Sequence, residues 1–283
     1  MMYLTHFGLS ELPFSITPDT QFVYSAASHQ EALNTLLVGL RNGEGFIKIS
    51  GEVGTGKTLL CRRLLATLAS EGGYVTAYLL NAYEDPRGLL LGLAEELGLR
   101  LPDATPHHHI MKLLNLALLK HAKAGKAVVL CVDEAQALPD ECLEAVRRLS
   151  NLETEKRKLI QIVLFGQPEL DVKLATPGLR QLRQRIALHY RMPGIRRDEI
   201  AHYLIHRLRI AGFRGASPFT SVAVKLLYKE SCGIPRLINI LAHKALLDAF
   251  GEGVGGVDVR HVVNASKDTE SVPQPSGWRA LMG

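Results

Sequence analysis

Long apolar runs are missing from this chain. No stretch of its 283 residues approaches the roughly 18 to 20 apolar positions needed to cross a bilayer, and residues 1–7 lack a basic region followed by an apolar core. The expectation is a cytoplasmic protein with no integral membrane segment. Cysteine is sparse: Cys61, Cys131, Cys142 and Cys232 form no C-x-x-C pair and lie within apolar helical or strand segments. That pattern favours buried thiols in a reducing compartment over disulfides or a zinc site. His107, His108 and His109 are consecutive, but adjacent side chains point apart and no Cys or acidic partner stands at ligand spacing, so a solvated loop or helix start is expected. Internal repeats and low-complexity tracts are also absent.

What is present is a composition suited to burial. With 47% hydrophobic residues, the chain is long enough for one α/β domain with a sizeable core and a smaller satellite. The net charge of +5 is unevenly placed: nine arginines between Arg180 and Arg214, against Asp198 and Glu199, give that segment +7 and leave −2 for the rest. Such a block can meet nucleic acid or acidic lipid, or serve subunit contacts and nucleotide sensing. Aromatic stacking platforms within it are limited to Tyr190 and Tyr203.

The richest chemistry lies in Gly51-Glu52-Val53-Gly54-Thr55-Gly56-Lys57-Thr58, a G-x-x-x-x-G-K-T loop between the apolar run 46–50 and a helical segment. Its glycines let backbone N–H groups turn inward around phosphates, Lys57 supplies a point charge to the β- and γ-phosphates, and the Thr58 hydroxyl is suited to Mg²⁺. Leu60, Leu64, Leu65 and Leu68 make the next segment amphipathic, so its N-terminus, with free N–H groups and the positive dipole end, faces the phosphates. The nucleotide-binding set expected from this segment is residues 51–58 with Leu59. A second apolar run, 126–132, ends in Asp133-Glu134. This is a Walker B pattern: Asp133 would hold Mg²⁺ through water, and Glu134 would polarise a water for in-line attack on the γ-phosphate. ATP and Mg²⁺ are the cofactors expected.

Alternating signals predict a parallel sheet covered on both faces. Strands are expected at 46–50, 74–80, 128–133, 160–165 and 187–191, and helices at about 29–41, 57–70, 86–97, 110–124, 139–152 and 179–185. After Pro193-Gly194 the strand signal stops, and helices are expected at about 197–211, 220–230 and 235–250, the last opening with Pro and closing at Gly251. A Gly-rich link then leads to a short helix capped by Asp258, and the tail from Thr269 reads as flexible. The expected organisation is an amino-terminal arm (1–30), an α/β nucleotide-binding core (31–193), a helical lid (194–268) and a tail (269–283).

This arrangement resembles the AAA+ ATPases, with a five-stranded parallel P-loop core and an all-α lid. The resemblance implies that Gln167, after the strand-like run 160–165, senses the γ-phosphate or attacking water, and that Arg236, in Gly233-Ile234-Pro235-Arg236, reaches the nucleotide from the lid. It also implies an arginine finger offered to a neighbouring subunit. Arg185 is the first choice, with Arg183 and Arg180 competing. Adenine is expected around residues 22–29, while Phe7 and Phe14 read as core.

The match narrows at the amino terminus, where Phe7-Gly8-Leu9, Glu11, Pro13-Phe14, Pro18-Asp19, Tyr24, Ser28-His29 and Glu31-Ala32-Leu33 are similar to the ExeA/GspA family. The loop 51–58, Gly166-Gln167-Pro168-Glu169-Leu170 and Gln184-Arg185-Ile186 extend the likeness over about residues 3–268. Longer members carry a transmembrane helix and a periplasmic peptidoglycan-binding domain after the ATPase. The stop at Gly283 makes this chain similar instead to the short, MshM-type ATPases of MSHA (type IV) pilus biogenesis. The resemblance implies an ATP hydrolase forming a homo-oligomer, with a hexameric ring as the expected form. It would act on an inner-membrane pilus or type II secretion assembly protein, peripherally at the cytoplasmic face. Similar AAA+ proteins regulate transposition or replication on DNA, which stands as the alternative.

Overall fold

A computed structural model describes residues 2–16, 22, 24, 26–80, 83–154 and 157–270. Pro18, Asp19 and the expected tail beyond residue 270 lie outside the described residues. The elements in chain order are α1 (Met2–His6), α2 (Ala27–Arg41), β1 (Phe46–Ser50), α3 (Lys57–Glu71), β2 (Tyr74–Leu79), α4 (Pro86–Glu96) and α5 (His107–Lys123). There follow β3 (Ala127–Val132), α6 (Asp140–Leu149), β4 (Ile160–Gly166), α7 (Pro168–Leu174), α8 (Arg180–Arg185) and β5 (Leu188–Arg191). The chain closes with α9 (Ile200–Ile210), α10 (Ser221–Ser231), α11 (Pro235–Gly251) and α12 (Val259–Lys267).

Two compact units result. One comprises residues 29–52 and 56–192; the other comprises residues 1–28 and 193–283 together with the loop tip 53–55.

The α/β unit is built on β-branched and apolar runs that bury both faces. Its five strands are all parallel, in the order β2-β3-β4-β1-β5. Along β3, Val128, Leu130 and Val132 join one core layer while Val129 and Cys131 join the other, which is why the run reads as continuous rather than alternating. Leu33, Leu36, Leu37 and Leu40 of α2 and Leu60, Leu64 and Leu68 of α3 pack on Ile47 and Ile49 on one face. Helices α4 to α6 cover the other with Leu89, Leu93, Ile110, Leu114, Leu143 and Val146. Because β1 connects to β2 in one direction across the sheet and the later strands return in the other, right-handed crossovers put helices on both faces.

Local chemistry sets the ends. Asp85 caps α4 by accepting from the N–H groups of Arg87 (2.8 Å) and Gly88 (2.9 Å), with Pro86 in the first turn. Helix α5 starts at His107, three residues before the expected start, because the extended backbone at Pro106 lets the exposed histidines form its first turn. Helix α7 was not expected: Pro168, with its fixed φ, initiates a helix directly behind Gln167. Cys61 and Cys131 are free, buried thiols, and the hydrogen-bonding influence of Cys131 together with burial pushes the Cys61 pKa up. Cys232 corrects the expectation of four buried thiols: it is exposed, in a left-handed turn with φ 50°.

The helical unit packs α9 to α12 around Ile200, Leu204, Leu208, Leu227, Leu241 and Leu246. The amino-terminal segment belongs to this core. Phe7, Phe14 and Phe22 are buried there, and Arg207, 8% exposed, holds the segment by donating to the carbonyls of Pro13 (2.6 Å) and Ser15 (3.3 Å). Its guanidinium lies 5.0 Å from the Phe22 ring centroid. Helix α9 begins at Ile200 rather than 197 because Arg196 pairs with Asp198 and Glu199 in a turn. Thr269 is buried and donates to Ala265 O (2.7 Å), so the last helix is closed off at the position where a flexible tail was expected to begin.

Backbone meets backbone between residues 194–195 and 232–233, where Ile195 N–H donates to Gly233 O at 2.7 Å. Gly233 has φ 74°, and a β-carbon there would collide with the Ile195 carbonyl. Gly233→Ala should therefore destabilise the protein by at least about 1–3 kcal/mol. Gly253→Ala, with similar φ but open space, should cost clearly less; urea unfolding followed by circular dichroism compares the two.

Candidate nucleotide site

Parallel register brings the chemistry to one end of the sheet. Ser50 is paired with Gly166 and Val132 with Leu164, so the segments leaving β1, β3 and β4 emerge side by side at their carboxyl ends. The first becomes the loop 51–58, the second supplies Asp133 and Glu134, and the third supplies Gln167.

In the loop, Gly54 and Gly56 take φ 82° and 94°, conformations that admit glycine with little cost. A β-carbon on Gly56 would sit 2.5 Å from His29 Nε2, so the backbone also needs glycine for space. Lys57 is 5% exposed, and its ammonium donates to the carbonyls of Gly51 (2.8 Å) and Glu52 (3.0 Å). Burial lowers its pKa, opposed by the charges of Glu134, Asp133, Glu52 and Glu169. Thr58 is half-buried in the first turn of α3, followed by Leu59.

Asp133, 2% exposed, accepts from Glu134 N–H (3.0 Å) and from the Tyr78 hydroxyl (3.3 Å). Glu134 is in the left-handed region, φ 51° and ψ 39°. Its Oε2 accepts from the side-chain amides of Gln136 (2.5 Å) and Gln167 (2.8 Å). The structure thus joins Glu134 to Gln167 and sets the Lys57 charge among the carboxylates.

Arg185 is placed differently. It is exposed on α8 and donates to Ser150 Oγ (2.9 Å) at the end of α6; among the described residues it makes no bond to Lys57, Asp133, Glu134 or Gln167. Arg180 and Arg183 share its exposed helix. In the helical unit, Arg236 is exposed in the first turn of α11, where an N–H has no partner inside the helix; it donates to Gly54 O at 3.4 Å.

Sequence patterns did not single out Gln136, Tyr78, Lys48 or Asp171. Lys48, 8% exposed on β1, bonds Asp171 of α7, and Ser50 Oγ lies 2.9 Å from His189 Nε2. Burial would raise the Asp171 pKa, but the bonds from Lys48 and Ser50, with the nearby positive charges, hold it below the ordinary value. A lysine inside an apolar run was the available signal for this pair.

The donor set suits a magnesium polyphosphate. Thr58 and Asp133 offer hard oxygen ligands, and the glycine-built loop with a buried ammonium matches multiple phosphate oxygens. Elsewhere, among the described residues, Asp248, Glu252 and His261 form a group of potential metal ligands. His261 Nδ1 accepts from Asp258 N–H (2.9 Å), which leaves the ring hydrogen on Nε2 to face Glu252 (3.2 Å); this is a helix cap with no free ring lone pair for an ion.

Comparison with known proteins agrees with this geometry. A profile described as "AAA domain" matches residues 40–174. General secretion pathway protein A of Aeromonas hydrophila is 40% identical over 280 residues, covering 99% of this chain and 50% of that protein, so the chain spans about half its length. Among solved structures, Cdc6p of Pyrobaculum aerophilum aligns with a TM-score of 0.63 and 18% identity over 89% of this chain and 71% of that one. Drosophila ORC bound to DNA aligns with a TM-score of 0.66 and 18% identity over 94% of this chain and 65% of that one. These two structural likenesses establish the fold, an α/β AAA+ core with a helical carboxyl-terminal region. With identity running along nearly its whole length and an AAA domain at its centre, the chain is similar to the ExeA/GspA-type AAA proteins.

Proposed function

We propose that this protein is an Mg²⁺-dependent ATPase whose binding and hydrolysis of ATP drive assembly of a type II secretion or MSHA-type pilus machine at the inner membrane. The observation that carries the ATPase reading is the meeting of Lys57, Asp133, Glu134 and Gln167 at the carboxyl ends of β1, β3 and β4. The assembly role rests on the likeness to General secretion pathway protein A.

In this reading the loop 51–58 and Leu59 cradle the phosphates, and Lys57 leaves the two loop carbonyls to bond phosphate oxygens. Thr58 and Asp133 hold Mg²⁺, which neutralises charge on the phosphates when bound. Glu134 orients and deprotonates water. Gln167 and Arg236 read the nucleotide state, the first beside Glu134 and the second from the lid. Arg185 acts in trans: a neighbouring subunit in a ring, six in the proposed form, supplies it to the transferred phosphoryl group. Residues 31–193 serve as the nucleotide-binding core and 194–268 as the lid.

Lys57→Ala should weaken ATP binding about 10- to 100-fold, the loss of charge-assisted hydrogen bonds. Glu134→Gln should retain ATP affinity while turnover falls about 10²- to 10⁴-fold. Equilibrium binding of a fluorescent ATP analogue and phosphate release separate the two; turnover surviving in both variants overturns the ATPase reading.

The second test is a protein-concentration series of ATPase rate. Wild type should climb with concentration and ignore duplex DNA, and Arg185→Ala should lose the climb, with nucleotide affinity unchanged, at a cost of about 10³ or more in rate. Stimulation by DNA that falls steeply with salt would replace the assembly role with the nucleic-acid one.

A further inference from the structure

Gln136 sits two residues beyond Glu134 in a single 3-10 turn, Ala135–Ala137, and nothing in the loop or strand motifs assigns it work. Its side-chain amide is used at both ends. The NH₂ group donates to Glu134 Oε2 at 2.5 Å, and the carbonyl oxygen accepts the main-chain N–H of Gln167 at 3.0 Å. Gln167 completes the loop by donating its own side-chain amide to the same Glu134 oxygen at 2.8 Å. Both donors meet on Oε2.

The surroundings fix this bridge. Lys173 of α7 donates to the main-chain carbonyls of Gln136 (3.4 Å) and Leu138, tying the turn to the helix that begins directly after Gln167. Gly166 leaves room: a β-carbon there would lie 3.2 Å from Gln136 Oε1 and closer still to Leu170. Glu134 itself is held in a left-handed conformation that a residue with a side chain adopts only when its environment imposes it.

Resting on the ATPase reading above, we propose that Gln136 is the positioning residue of the site: it couples the Gln167 segment to the Glu134 carboxylate. Glutamine is suited to this because one planar group offers a donor to the carboxylate and an acceptor to a main-chain N–H. Fixing Oε2 leaves Oε1 as the oxygen presented to water. A displacement of the Gln167 segment is carried to Glu134 through two routes, the Gln167 side chain and the Gln136 amide. Removing Gln136 breaks one route and leaves Oε2 held by the Gln167 amide alone, so the carboxylate is less firmly oriented and its geometry toward water degrades.

The test uses the full-length protein carrying Gln136→Ala and the isosteric Gln136→Glu, which sets a carboxylate against Glu134 and an acceptor against no donor. Gln136→Ala should lower kcat about tenfold or more while KM and the affinity for a fluorescent ATP analogue stay within about twofold of wild type; Gln136→Glu should fall lower still. Without nucleotide, hydrogen exchange by NMR should show the Gln167 main-chain N–H exchanging at least about tenfold faster in Gln136→Ala. The Leu170 N–H, which donates to Gln167 O, should keep its protection. Unchanged kcat and unchanged Gln167 exchange, in a preparation where wild type turns over ATP and Glu134→Gln does not, would overturn the positioning role and spare the ATPase reading. A wild type that does not hydrolyse ATP overturns both.

Discussion

Hydrogen bonding of β4 to β1 on one side and to β3 on the other leaves no freedom in register: Ser50 stands opposite Gly166, and Val132 opposite Leu164. A slip of one residue would take Ile47 and Ile49 out of their core layer and turn Lys48 and Ser50 into it. The same bonds continue past the strand ends, with Gly51 N–H donating to Gly166 O (3.2 Å) and Asp133 N–H to Leu79 O (2.9 Å). Register fixed by apolar burial therefore places the loop lysine, the paired acids and Gln167 at one height. The geometry that chemistry needs is inherited from the core.

Burial of charge at that edge has a cost that the site meets internally. Lys57 is desolvated, and the carboxylates of Asp133, Glu134, Glu52 and Glu169 offset the loss without cancelling it. The Lys48–Asp171 pair, beneath the sheet end, follows the same rule and ties α7 to β1. Gln136 and Lys173 add neutral and charged bonds to the turn after Glu134. Polar bonds thus tie β1 to α7 and α7 to the turn after Glu134, so the groups proposed to act on nucleotide are anchored to the same helix.

The arginine-rich segment shows how one run of charge divides by tertiary context. Arg207 is buried and clamps the amino-terminal segment, Arg196 is engaged with Asp198 and Glu199, and Arg185 is bonded to Ser150. Arg180, Arg183 and Arg185 present the exposed face of α8 in the α/β unit, while Arg197, Arg209 and Arg214 are exposed in the helical unit. The net charge of +7 along the sequence is therefore not all free surface charge. It is a mixture of structural and solvent-facing groups.

Sequence alone determined the α/β class, five strands within about a residue of their observed ends, and the loop with its lysine. It could do so because glycine, β-branched runs and proline act over a few neighbouring positions. It also marked Asp133 and Glu134 at a strand end, while Gln167 entered through the family resemblance. Only the tertiary structure decided that Gln167 grasps the same Glu134 oxygen as the neighbouring Gln136, because the Gln167 bond joins segments 33 residues apart through a register no local pattern encodes. It likewise moved Cys232 to the surface and took Arg207 inside, since burial depends on which helices cover a position rather than on the residue's neighbours in the chain.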